Sequence, residues 1–297
     1  MSNKPRKMTL EKKHNLTGWA FLAPATFLLV VFSFWPMIKA LVLSFQTGKG
    51  RNMQMAGFTN YIRMFQDDVF IQSIKNTFFY FILQVPIMLV VAMVLACILN
   101  KKDLRFKGFF RTMIFLPCTT SLVAYSIIFR SLFANDGLVN YVLVNLGILD
   151  KPYNFLTQPF AAKMVIILGL LWRWTGYNMV FFLSGLQNIE YSVYEAAKID
   201  GASAIQTFFK ITVPLLKPTI LLTAIMSTNG TLQLFDESIN LTDGGPANAS
   251  ISMSHYIYNL CFKYVPNFGY AAAMSFFILL LVAVLAFIQM RVGDKRD

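Results

Sequence analysis

Charge is scarce in this chain: Asp, Glu, Lys and Arg make up 13% of its 297 residues, against about 25% in soluble domains. That deficit excludes an ordinary soluble globule, and hydrophobic residues fill the gap at 56%. Cysteine is scarce too. Cys97, Cys118 and Cys261 are isolated, with no C-x-x-C pair and no metal-ligand spacing, and the first two fall in apolar runs as packing residues. The two histidines, His14 in the N-terminal tail and His255 in a loop, form no metal or nucleophilic constellation. A Walker loop is missing as well. The only Gly-Lys pair is Gly48–Lys49, and Leu43 stands where the upstream glycine is required. Any nucleotide chemistry must come from a partner. Low-complexity linkers and internal repeats are also lacking, which leaves one domain and disfavours inverted-repeat transporters.

What is present is apolar sequence in long pieces. Six stretches, near 18–45, 76–99, 109–133, 161–186, 215–235 and 268–290, are long enough to cross a bilayer as helices of roughly 20 residues. A membrane β-barrel would instead alternate over segments of about 10 residues. The expected fold is an all-α, six-span membrane domain over 18–290, with a basic tail at 1–17 and a short tail at 291–297. The first run is too long for a signal-peptide core and has no convincing cleavage site.

Net charge is +12, yet its distribution speaks against nucleic acid as a partner. Lys4, Arg6, Lys7, Lys12 and Lys13 crowd the N-terminal tail, and Lys101, Lys102, Arg105, Lys107 and Arg111 the second loop. Lys198, Lys210 and Lys217 follow in the fourth loop, and Arg291, Lys295 and Arg296 in the C-terminal tail. With six spans these fall on one side. The positive-inside rule makes that side cytoplasmic, with both termini there and the lysines near anionic lipid.

The loop 187–217 is the most informative polar segment. Ser192-Val-Tyr-Glu195 has capping-box spacing, so a helix is expected from about Val193, with Gly201 as the left-handed residue that ends it. Ser203-Ala-Ile-Gln206 repeats the pattern and opens a second helix, which runs until Pro214 and Pro218 interrupt it. A helix this short is marginal by itself. Its Tyr194–Ala197–Lys198 side is expected to offer a partner close backbone approach.

Glu195-Ala196-Ala197, three residues, Gly201, nine residues, then Ile211-Thr-Val213-Pro214 resembles the EAA loop of ABC-importer permeases, E-A-A-x3-G-x9-I-x-L-P. The chain departs only by Val213 for Leu. "FLAPATFLLVVFSFWPMIKALVLSF", "GFTNYIRMFQDDVFIQSIKNTFFY", "FFRTMIFLPCTTSLVAYSIIFRSLF" and "LTDGGP", in that order over roughly residues 16–292, are similar to the sugar-type permeases of the maltose-transporter class. The resemblance implies a type I importer permease fold and a bacterial cell-membrane location. It also implies a second similar permease, two ATPase subunits that bind ATP and Mg, and an extracytoplasmic sugar-binding protein. No cofactor is expected on this chain, and no catalysis. Tyr194, Glu195, Ala196, Ala197, Asp200, Gly201 and Ala202 are the expected ATPase-coupling residues.

Polar residues inside spans usually face a bundle interior or a wet cavity. Thr223, Ser227 and Thr231 share one face of the fifth span, and Asn229 and Gln233 form an adjacent stripe leading to Asp236 and Glu237. In the fourth span "WRWTGYNM" sets Trp172, Thr175, Gly176 and Met179 on one side. The expected substrate pathway comprises Trp172, Arg173, Trp174, Thr175, Gly176, Tyr177, Asn178 and Met179, with Ser227, Asn229, Gly230, Thr231, Gln233, Leu234 and Asp236 from the fifth span. Hydroxyls and amides beside aromatic rings suit a di- or oligosaccharide; polar glue between helices is the plainer alternative. Arg173 stands out as the one charge near mid-span. It is expected to pair with an acid such as Asp236 or one on the partner permease, with an acidic group of the substrate as the rival reading. A single mid-span charge leaves no acid–base relay for a proton-driven transporter, and a membrane enzyme lacks its catalytic set.

Overall fold

The computed structural model describes residues 9–49, 52–101 and 103–293. Of the basic residues expected to orient the chain, Lys4, Arg6, Lys7, Lys102, Lys295 and Arg296 lie outside these described residues, as does the side chain of Lys13.

The first apolar run begins ahead of residue 18. It forms α1 (Leu10–Leu29) and α2 (Trp35–Ser44), joined by a π-helical turn at Val30–Phe34. Pro36 in the first turn of α2 has no N–H for the preceding turn, and the wider π turn takes up the mismatch. An antiparallel hairpin of β1 (Gln46–Lys49) and β2 (Asn52–Met55) follows, which the sequence pattern did not announce. A short helix in "GFTNYIRMF", α3 (Thr59–Met64), comes next. Asn60 ties these pieces together, its buried amide donating to the carbonyls of Ser44 and Gln46 at 2.9 and 2.8 Å.

The next helix, α4 (Asp68–Asn100), starts well before residue 76 because Asp67 caps it, accepting from the Val69 and Phe70 amides at 3.0 and 3.2 Å. The third run, expected as one span at 109–133, is broken near its middle. It forms α5 (Lys107–Thr119) and α6 (Leu122–Leu132), bent by 97°. Pro117 ends regular helix there, and side-chain hydroxyls take up freed carbonyls: Thr119 donates to Leu116 at 2.8 Å and Thr120 to Pro117 at 2.7 Å. After α7 (Leu138–Asn145), the long α8 (Pro159–Gln187) crosses back. The loop after it holds α9 (Tyr191–Ile199), α10 (Ala204–Thr207), a π turn at Phe208–Thr212 and α11 (Val213–Leu215). A 71° bend at Leu216 leads into α12 (Lys217–Leu232). Then come α13 (Asp236–Thr242), α14 (Met253–Tyr258) with a π turn at Asn259–Lys263, and α15 (Phe268–Gly293).

Leu10–Ser44, Asp68–Asn100, Pro159–Gln187 and Phe268–Gly293 are each long and apolar enough to cross a membrane, and each bent pair passes the same test as a unit. The helices α4 and α8 pack along the centre. One buried cluster, with Met179, Phe182 and Leu216, lies near the α9 end of the bundle. Another joins Tyr80, Ile166 and Leu170 to Leu234 and Leu241. A third seats Phe70, Met253 and Tyr270 at the opposite end.

That opposite end is locked by hydrogen bonds. Tyr80 donates to the Ser250 carbonyl at 2.9 Å, and Asn76 to that of Ile251 at 2.9 Å. His255 is fully buried, with Nδ1 2.9 Å from the Ser238 hydroxyl. Burial pushes its imidazole down to about 4, against the pull of the Asp243 carboxylate and with the help of the Lys263 ammonium. The unfolded chain therefore takes up this proton first, near pH 6.5. The stability that neutral His255 contributes is present above about 6.5 and declines as pH falls towards 4. Thermal unfolding in detergent should show that loss over this window, and a His255→Gln variant should flatten it.

Candidate functional site

Where α8, α12 and the start of α13 converge with α4 and α6, they line a partly open cavity of about 310 Å³. The α8 helix contributes Trp174, Tyr177 and Asn178, and α12 with its exit contributes Ser227, Gly230, Thr231, Gln233, Leu234 and Asp236. These nine are the pathway residues that the structure brings together. Asn178 accepts from Ser227 at 3.4 Å while its own amide donates to the Trp174 carbonyl at 3.0 Å. Thr231 donates to Gln84 at 2.8 Å. Gly230 lines the same cavity, and a Cβ added there would meet nothing within 4 Å.

The other pathway candidates point elsewhere. Trp172 packs on the rings of Tyr125 and Phe129. Met179 is core, Thr175 is buried, and Gly176 lies against the backbone of Ile114 and Phe115. The shared face of Trp172, Thr175, Gly176 and Met179 is therefore a packing face, because α5 crosses α8 there. Asn229 accepts from Gln233 but does not line the cavity. Thr223 donates back to the Thr219 carbonyl at 2.8 Å and is helix-satisfied glue.

Of the pairings expected for Arg173, the one with Asp236 does not form among the described residues. Its Nη1 donates to the Thr120 carbonyl at 2.7 Å, and its guanidinium lies 5.1 and 5.3 Å from the ring centres of Tyr125 and Trp174. A cation thus caps the broken end of α5, where a carbonyl would otherwise go unsatisfied in the membrane. Nor is it the lone buried charge of the region. Glu237, 4% exposed, accepts from the Tyr125 hydroxyl at 2.7 Å and lines the cavity. The sequence reading missed Glu237 as a site residue, together with Gln84, Met88, Leu122, Leu170, Met226 and Phe235. Glu237 stood at the end of the polar stripe without being chosen, and Gln84 carried the signal of a lone amide inside an apolar span; the apolar members carried none.

The elbow at the α9 end is partly as expected. Gly201 takes φ +73°. Ala202 N–H donates to Ala197 at 2.9 Å and Gly201 N–H to Lys198 at 3.2 Å, a complete Schellman closure. The Ser203–Gln206 capping box forms, with Ser203 N–H donating to Gln206 at 2.8 Å. The box at Ser192–Glu195 does not. The helix starts at Tyr191, so Ser192 already lies within its first turn, and its hydroxyl donates to Glu190 at 3.3 Å. Of the Tyr194–Ala197–Lys198 side expected to be open to a partner, Lys198 is exposed while Tyr194 and Ala197 turn inward. The corner folds the following turns back onto α9, burying Ala197 to 6% exposure and bringing the Tyr194 hydroxyl 3.5 Å from that of Thr212. Glu195, Ala196, Lys198, Ile199 and Asp200 are left outward, with Ile199 85% exposed.

Broken helices, an amide-lined cavity and an exposed elbow define a multi-pass membrane permease. The family described as "Binding-protein-dependent transport system inner membrane component" matches residues 68–296, and the chain belongs to that family. It is 51% identical to the lactose transport system permease protein of Rhizobium radiobacter over 98% of each chain. It is 31% identical to an arabinooligosaccharides transport system permease protein of Halalkalibacterium halodurans, over 96% of this chain and 90% of that one. Its fold matches a chain from the crystal structure of a bacterial ABC transporter involved in the import of the acidic polysaccharide alginate. The TM-score is 0.85 at 24% identity, covering 97% of this chain and 98% of that one.

Proposed function

We propose that this chain conducts a di- or oligosaccharide through the membrane as one of two similar permease subunits of an ATP-driven importer. The observation that carries this reading is the cavity itself. Aromatic rings of Trp174, Tyr177 and Phe235 share its lining with the amides and hydroxyls of Gln84, Asn178, Ser227, Thr231 and Gln233. Rings cover the C–H faces of a sugar while amides and hydroxyls exchange hydrogen bonds with its rim. Lactose is the first substrate to test, from the name of the relative at 51% identity.

In this reading the α9 end and both termini are cytoplasmic, which places Lys101, Arg105, Lys198 and Lys210 on the inner side. Two ATPase subunits hold ATP and Mg, and one of them docks the exposed face of α9 around Glu195, Ala196 and Ile199. An extracytoplasmic binding protein delivers sugar at the opposite end. ATP and the loaded binding protein both bias one two-state equilibrium between inward- and outward-open cavities. Replacing Trp174 with alanine should cut lactose uptake by about tenfold, ~1.4 kcal/mol, while membrane insertion stays normal. Replacement by phenylalanine should retain most of it. Unchanged uptake in the alanine variant, or wild-type uptake that stops with proton uncouplers while ATP is maintained, overturns the reading.

A further inference from the structure

Among the described residues that line the cavity, the only charged side chains are Asp236 and Glu237. Both are acids. The buried cation of α8, Arg173, does not line the cavity: its guanidinium rests on the Thr120 carbonyl and beside the Tyr125 and Trp174 rings, from where its charge offsets part of that of Glu237. Glu237 is held against the wall by the Tyr125 hydroxyl. Asp236 is different. It opens α13, it is half-buried at the cavity, and no described side chain donates to its carboxylate. Its neighbours Trp174 and Gln233 line the same space.

A carboxylate only accepts hydrogen bonds, and the hydroxyls of a sugar can supply them in adjacent pairs. A second carboxylate or a phosphate on the cargo offers no donor and brings like charge beside a half-buried and a buried carboxylate. We propose that Asp236, backed by Glu237, is the specificity-determining charge of this cavity: it binds hydroxyls of a neutral sugar unit and rejects saccharides that carry a carboxylate or phosphate. The proposal rests on the sugar-cavity reading above and deepens it by fixing the cargo class as uncharged.

The test is equilibrium binding to the purified complete transporter, without its binding protein, so that cavity selectivity is read alone. The probes are lactose and the equivalent disaccharide whose galactose is oxidised to galacturonate. Like charges a few ångströms apart in partly hydrated protein should make lactose bind at least about tenfold more tightly than the uronate. Asp236→Asn should shrink that ratio to about threefold or less, chiefly by tightening uronate binding, while Asp236→Glu should preserve it. Glu237→Gln serves as the second variant if Asp236→Asn does not assemble, and should shrink the ratio in the same direction. Equal binding of the two sugars to wild type overturns the filter and leaves the cavity reading standing, as does a ratio that neither neutralising variant changes. No measurable binding of lactose overturns the cavity reading and the filter with it.

Discussion

Gly176→Ala is expected to abolish uptake and to destabilise the bundle by about 2–3 kcal/mol, the upper range for forcing atoms into a packed core. The added Cβ would collide with the Ile114 carbonyl oxygen and lie 2.7 Å from its carbon, with the Phe115 Cα at 3.1 Å. These are backbone atoms, so no side chain can rotate away. Relief requires α5 to slide off α8, just before its bend. That bend is held by Arg173 on the Thr120 carbonyl, and α6 beyond it brings Leu122 to the cavity wall. Displacement at Gly176 should therefore reach the cavity even though Gly176 does not line it. Thermal unfolding in detergent measures the first effect and lactose uptake the second. Gly108→Ala is the matched control on α5, where a Cβ meets nothing within 4 Å. It should leave both measurements unchanged or raise stability slightly, as alanine favours helix. Equal behaviour of the two variants would sink the packing argument.

Gly176 also shows what the sequence could carry. Local rules read well wherever one residue dictates one conformation: Gly201 as the left-handed corner, Ser203 as a cap, the apolar runs as helices. Helical periodicity then placed Trp172, Thr175, Gly176 and Met179 correctly on one face. It could not say whether that face meets a cavity or another helix, because a small residue suits both. The same limit applies to Arg173. A buried cation must be satisfied, but a broken helix end serves as well as a carboxylate, and the break at Thr120 depends on how α5 and α6 are arranged in space. Ser192 fails for a nearer reason. Its capping spacing is real, but starting the helix at Tyr191 puts Ser192 inside it. The apolar cavity residues Met88, Leu122 and Leu170 look like any core residue until the bundle is closed.

The corner at Gly201 leads to the second large effect, on coupling rather than on folding. Valine there should reduce uptake to near zero while the protein still inserts, and ATP hydrolysis should no longer rise when loaded binding protein is added. A Cβ at Gly201 meets nothing within 4 Å, so crowding is not the cause. The cost is the backbone at φ +73°, of order 1–3 kcal/mol for a residue forced into the left-handed region and worse for a β-branched one. The chain can escape that strain by opening the corner, which breaks the Ala202 and Gly201 hydrogen bonds to Ala197 and Lys198. It also separates Tyr194 from Thr212 and uncovers Ala197. A helix of this length is marginal by itself and depends on that packing. The outward face with Glu195, Ala196 and Ile199 then loses its fixed direction, although none of its residues has changed. Asparagine tolerates the left-handed region better than alanine, and alanine better than valine. Uptake should follow that order, Gly, Asn, Ala, Val, if the backbone angle is what matters. If all three variants fail alike, contact at Gly201 itself is the cause, and wild-type uptake in the valine variant refutes the corner's role.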